Sequence, residues 1–438
     1  MRPVRLGASV LTAALISASL VLSRTGSADG GATLERRAAR SLAAREDPER
    51  NRICPHPRVP LADSGADIFK DIESLESREN GHVPKYLRAM AALPATVKTF
   101  AHLIRTVLYG GAIRPETKMI VGFCIGQING SPYVTSYMER LLGASARGKR
   151  TLDYVHSADF DAMPEADRLA MRYALMLTGG VWGVDDEEFE RLRRWFNEPH
   201  IIELTLTVGF FNYFTRFCEA LDLPVEDQVE SHPGPPKYEH RTPAARVRRP
   251  ADEELDAAGD IAESIRGAQC GLGIGSANWI RAMARCPDLA EAWIAYQRST
   301  GEYNRISRKL KFDIGVAVSM ANDCRYCTLQ QLLGLHRLGV DRRKLIALRK
   351  SDEALGLSEQ VAVLFARKLT RKPSSITDED YQELTAEFTS QGALEVLVET
   401  CAFALMNRFT DGLHLPSEYE AVRVYREVYG SDWRRQAQ

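Results

Sequence analysis

The chain is written twice, and that repetition constrains its fold more than any other feature. Arg88-Ala89-Met90-Ala91 with Pro94 returns 193 residues later as Arg281-Ala282-Met283-Ala284 with Pro287. Arg216-Phe217 with Leu221, Leu223 and Pro224 returns 192 residues later as Arg408-Phe409 with Leu413, Leu415 and Pro416. Two units, 82–224 and 274–416, therefore share one design with a single-residue slip inside it, and each, at about 140 residues, is long enough to bury its own core. Between the anchors, Asn322-Asp323-Cys324-Arg325-Tyr326-Cys327 falls opposite Asn129-Gly130-Ser131-Pro132-Tyr133-Val134. Any thiol chemistry therefore belongs to the second unit.

The apolar spacing is helical almost throughout. Leu87, Met90, Ala91 and Pro94 open the first unit, Met119 to Ile128 reads as a buried helix, and Leu169, Tyr173, Met176 and Leu177 recur at three and four. Asp185-Asp186-Glu187-Glu188 and Thr377-Asp378-Glu379-Asp380 look like capped helix starts. The absence of alternating runs between hairpin turns argues against strands, so the expectation is an all-α protein.

Outside the units, residues 1–28 combine a basic start, an uncharged apolar run from Leu6 to Leu22 and the small residues Gly26-Ser27-Ala28. That is the order of a signal peptide, with a tilted membrane anchor as the alternative, and a cytoplasmic protein follows if the start is misassigned. Residues 29–81 read as a partly disordered N-terminal arm, 225–273 as a Pro-rich charged linker and 417–438 as a C-terminal tail. With 57 basic and 58 acidic residues, the chain has no single-sign field to draw in nucleic acid.

Of eight cysteines, only Cys324 and Cys327 have an interpretable spacing, while Cys124, Cys218, Cys270, Cys286 and Cys401 sit in apolar or helical contexts and Cys54 lies in the arm. Asn322 or Asp323 as a cap would place Cys324 in the first turn of a helix, where the dipole and free amides favour a thiolate, and put Cys327 on the same face. Cys324 would then be the low-pKa attacking sulfur and Cys327 its resolving partner, or the reverse. Arg325, Arg308, Lys309 and Lys311 would stabilise the anion and Asp323 would oppose it. Three plainer accounts compete: a zinc site, which lacks its other two ligands; a structural disulfide, whose small loop removes little entropy; and two inert buried thiols. Glu203 and Arg216, like Glu395 and Arg408, stand thirteen residues apart in each unit, and a buried carboxylate–guanidinium contact would explain them as scaffold.

The run from Val316 through Cys324-Arg325-Tyr326-Cys327 to Gly339-Val340 and Ile346-Ala347-Leu348-Arg349 resembles the carboxymuconolactone decarboxylase / alkyl hydroperoxidase D-like family. Phe365 to Thr370 and Thr377 to Tyr381 continue the likeness, and Tyr173 to Thr178 with Glu203 to Phe217 repeat it in a degenerate first copy. The resemblance implies two tandem alkyl hydroperoxidase D-like helical domains related by pseudo-symmetry, a central helical hairpin, homo-oligomers and, in redox members, peroxidase or disulfide-reductase activity. It also implies a proton relay of a glutamate twelve residues before the first cysteine and a histidine four after the second. Phe312 and Gln331 stand there, Asp313 is one residue out of register, and His336 falls near the opposite helix face. In the first unit Ser131, Val134 and Met138 replace the cysteines and histidine, and Met119 the glutamate, so that unit should be inert.

The resulting expectation is a thiol-based oxidoreductase using Cys324 and Cys327 on a small hydroperoxide or a partner protein's disulfide or dithiol, with no cofactor and no metal. The alternatives are a cofactor-free acid–base enzyme acting on a small lactone or aromatic acid, or a non-catalytic helical scaffold.

Overall fold

The structure, a computed structural model, describes residues 57–69, 72, 83–157, 159–181, 183–226, 277–350 and 355–430. The signal-peptide reading, Cys54, Cys270 and almost all of the linker lie outside the described residues. Those described form helices with no strand among them, so the all-α expectation holds.

The first unit contains α1 (Lys85–Met90), α2 (Pro94–Tyr109), α3 (Pro115–Asn129), α4 (Pro132–Gly143), α5 (Ala146–Ser157), α6 (Glu165–Gly179), α7 (Asp186–Arg193) and α8 (Glu198–Ala220). The second contains α9 (Asn278–Met283), α10 (Pro287–Gly301), α11 (Arg308–Ala321), α12 (Arg325–Arg337), α13 (Arg342–Lys350), α14 (Leu357–Arg371) and α15 (Asp378–Gly412), followed by α16 (Tyr419–Tyr429). Both acidic starts are capped: Asp185 accepts from the Glu188 amide, and Thr377 and Asp380 form a reciprocal capping box. Residues 419–429, read as tail, are instead the amphipathic α16, which buries Ala421, Val424, Tyr425 and Val428 and packs on α12. Part of the N-terminal arm is also docked, because Val59 and Phe69 are buried and Arg58 donates through Nε to Asp378 at 2.7 Å.

The core is organised around α8 and α15, which pack against each other across the two units, as α2 and α10 also do. Gly209 on α8 permits the close approach: a Cβ there would sit 3.0 Å from the Leu405 carbonyl oxygen. One ion pair recurs between the units, as Lys118–Glu203 at 2.5 Å in the first and Lys311–Glu395 at 2.7 Å in the second. The two glutamates thus pair with lysines, which corrects the expected carboxylate–guanidinium contact. Thirteen helical residues span about 20 Å, too far for Glu203 to reach Arg216 on the same helix. The arginines cross between units instead, as Arg216 donates to the Thr370 carbonyl at 2.9 Å and Arg408 to the Thr178 carbonyl at 3.4 Å.

Candidate active site

The turn between α11 and α12 sets the two sulfurs. Asp323 adopts a left-handed φ of 56°, where the first unit has Gly130 at 68°, and a short polar side chain tolerates that backbone better than most. The chain then re-enters a helix with Cys324 itself as the cap, its Sγ accepting from the Cys327 amide at 3.4 Å. Neither Asn322 nor Asp323 caps α12, so Cys324 lies one position earlier than expected.

Two further amides of that helix end are taken by Asp411 on α15, which accepts from Arg325 N at 2.8 Å and Tyr326 N at 3.3 Å. The next residue back, Thr410, brings its Oγ1 to 3.6 Å from Cys324 Sγ and 3.4 Å from Cys327 Sγ. Both thiols therefore meet one hydroxyl. They are free, and Cys324 is inaccessible.

The expected low-pKa Cys324 does not survive this placement. Burial pushes its thiol well above the ordinary range, and the neighbouring Cys327 thiol and the Asp411 charge push the same way. The expected cationic help is also committed elsewhere: Lys309 bonds Asp313 at 2.5 Å and Glu359 at 2.7 Å, and Lys311 pairs with Glu395. Asp313 is thereby held by Lys309, while His336 is exposed.

Cys327 borders a cavity of about 560 Å³ whose wall, among the described residues, comes from the second unit. Phe312 and Gln331, the residues at the missing relay positions, are both in that wall. So are Trp293, Ala402, Phe403, Met406 and Glu399, none of which the sequence analysis singled out. A signal for them existed in the repeat. At an offset of 192, Ala402 and Met406 stand where the first unit has Phe210 and Phe214, two fully buried rings. The smaller side chains leave the space that those rings fill, and Val134 and Met138, opposite Cys327 and Gln331, are completely buried.

Two carboxyl groups near this site titrate abnormally. Glu399 is pushed by burial up to about 7, against the pull of Lys311. Asp411 is pushed by burial up to about 6, opposed by its two backbone amide bonds and by a hydrogen bond with Cys324. Asp411 holds its proton more tightly when folded, so it favours folding below an unfolded pKa near 3.8, and that contribution is lost as pH rises towards 6. Asp411→Asn is therefore expected to lose a fall in stability on the order of 2–3 kcal/mol between pH 4 and 6 relative to the native chain, measured by urea denaturation across that range. Parallel curves for the two proteins would contradict it.

Residues 287–368 match the Carboxymuconolactone decarboxylase family. No curated protein matches the chain. Among solved structures, the chain is similar to the debrominase Bmp8 in its apo form, with 23% identity and a TM-score of 0.37, covering 40% of this chain and 94% of that one. A cysteine-to-alanine variant of Bmp8 in complex with 2,3,4-tribromopyrrole gives the same identity and TM-score, with 93% of its chain covered.

Proposed function

Taking residues 287–368 as a member of the carboxymuconolactone decarboxylase family, we propose that this protein is a thiol-based oxidoreductase whose working sulfurs are Cys327 and Cys324. The observation that carries the reading is their layering: Cys327 borders the cavity, and Cys324 lies behind it against the same Thr410 hydroxyl. Cys327 is the sulfur that a substrate meets first, and Cys324 is the resolving thiol.

In the peroxidase form, the Cys327 thiolate attacks the terminal oxygen of a hydroperoxide, the O–O bond breaks, and the alkoxide leaves as an alcohol after taking a proton. Cys327 becomes a sulfenic acid. Cys324 then displaces water from it to form the Cys324–Cys327 disulfide, and an external dithiol returns both to thiols. Asp411, hydrogen-bonded to Cys324, takes the Cys324 proton in the second step and supplies the acid–base group that Phe312 and Gln331 cannot.

The tandem arrangement belongs to the same proposal. Six helix starts recur 192 or 193 residues apart, the ion pairs Lys118–Glu203 and Lys311–Glu395 correspond, and the arginine contacts between units are reciprocal. These observations support two pseudo-symmetric domains, with the first bracing the second and carrying no chemistry of its own.

One equivalent of an organic hydroperoxide added to reduced protein should yield a Cys324–Cys327 disulfide on peptide mapping, with Cys124, Cys218 and Cys401 remaining reduced. Recovery of both thiols after complete hydroperoxide exposure would overturn the reading. Acid–base chemistry on a lactone or aromatic acid has one observation in its favour, the Glu399 carboxyl near neutrality in the same cavity. Turnover of such a compound that survives replacement of both cysteines would select it.

A further inference from the structure

We infer that the cavity takes a ligand whose apolar body carries a hydrogen-bond donor and an acceptor on adjacent atoms, and that the Gln331 carboxamide binds this pair beside Cys327. Gln331 lies four residues after Cys327 on α12, so their Cβ atoms are about 6 Å apart on one helix face, and both line the cavity. Gln331 is half-buried, and its carboxamide has no hydrogen-bond partner among the described residues. The adjacent Gln330 differs, because its Nε2 donates to Glu418 and ties α12 to the start of α16.

The stem of Gln331 is held by packing. A Cβ at Gly315 would stand 2.6 Å from Phe403 Cζ and 2.8 Å from Gln331 Cγ, so ring and stem meet over that glycine. Helical side chains lean toward the helix N-terminus, which carries the amide toward the turn of Cys327. The first unit shows that the fold does not require this amide. Met138 stands at the corresponding position, completely buried, although the glycine and its ring are kept there as Gly122 and Phe211.

A carboxamide offers an acceptor oxygen and a donor nitrogen in one plane, and a ligand with the complementary pair satisfies both at once. The walls at Phe312, Phe403 and Met406 take the apolar body and supply no competing hydrogen bond from their side chains. A hydroperoxide has the required pair: Oε1 accepts from its terminal O–H, and Nε2 donates to its inner oxygen. When the Cys327 thiolate attacks the terminal oxygen, the O–O bonding electrons leave on the inner oxygen, and the alkoxide takes its proton from water. The amide stabilises the departing charge and transfers no proton.

This ligand class rests on the reading of the cavity as the substrate site, and its test is independent of thiol chemistry. Calorimetric titration of the full reduced chain with acetophenone oxime and with its O-methyl ether compares two redox-inert probes. The oxime presents a nitrogen acceptor beside an O–H donor, and the ether lacks the donor. The oxime should bind about fivefold more tightly or better, one hydrogen bond's worth. Gln331→Met, which restores the first unit's residue, and Gln331→Leu should each remove that preference while leaving the ether's affinity within about twofold. Replacing both Cys324 and Cys327 by serine should preserve it, so hydroperoxide inactivity with a retained oxime preference would sink the oxidoreductase reading alone. Hydroperoxide reduction by a chain that does not prefer the oxime would sink the Gln331 assignment alone. Equal affinity for the two probes, binding of neither, or a preference that survives either Gln331 substitution would overturn the inference. The native comparison can overturn it even where a variant does not fold.

Discussion

Replacing Cys327 by serine is expected to cut hydroperoxide consumption at least about 10³-fold, because the attacking sulfur is lost and no other thiol borders the described cavity wall. Cys324→Ser should behave differently. It keeps the sulfur that meets the substrate, so one equivalent of hydroperoxide should still be consumed in a single turnover, leaving a Cys327 sulfenic acid that dimedone traps. Multiple turnover with a dithiol reductant should then fail or depend on direct reduction of the sulfenic acid. Rapid-mixing kinetics under single-turnover conditions separate the two variants. Single-turnover loss in Cys324→Ser with retention in Cys327→Ser would reverse the assigned order of attack.

The second large effect concerns stability. Lys118 is wholly buried and holds Glu203 at 2.5 Å, while Glu203 also accepts from Ala112 N at 2.8 Å and Ile113 N at 3.0 Å. Removing one partner of a buried pair leaves a charge with neither water nor a counterion, at a cost of about 3–5 kcal/mol. Lys118→Met should therefore shift the denaturation midpoint downward by that much at an unchanged slope. Adding Glu203→Gln to the same chain should recover part of the loss, since the remaining side chain is then neutral and its amide oxygen still accepts from one of the two backbone amides. A loss below about 1 kcal/mol in the single variant would show that the pair is dispensable.

How much of this was legible in the sequence varies with the range of the interaction. Helical periodicity and capping are local, so the all-α class and the helix starts at Asp185 and Thr377 could be read directly. The cysteine pair was also visible, but the order of its sulfurs was not. Helix-dipole reasoning favours Cys324, whereas burial beneath α15 and the facing Asp411 raise its pKa, and both effects come from residues more than 80 positions away. The buried ion pairs failed for the same reason, since Lys118 and Lys311 lie on helices distant in sequence from Glu203 and Glu395. Ala402 and Met406, by contrast, were within reach: a residue-by-residue comparison of the repeat shows large aromatic rings giving way to smaller side chains in the unit that has the cysteines.

The exchange of guanidinium bonds, Arg216 to Thr370 and Arg408 to Thr178, also bears on how the chain would respond to being cut. Each unit supplies a backbone carbonyl to the other's arginine, and α8 and α15 cover each other's apolar sides. Because both partners are encoded on one polypeptide, their encounter is unimolecular, and dilution cannot separate them as it would two subunits. Expressing 274–438 alone would return that encounter to mass action. The freed half would carry an uncovered greasy helix face and an arginine that has lost its Thr178 carbonyl, and its natural recourse would be to seek a second copy of itself.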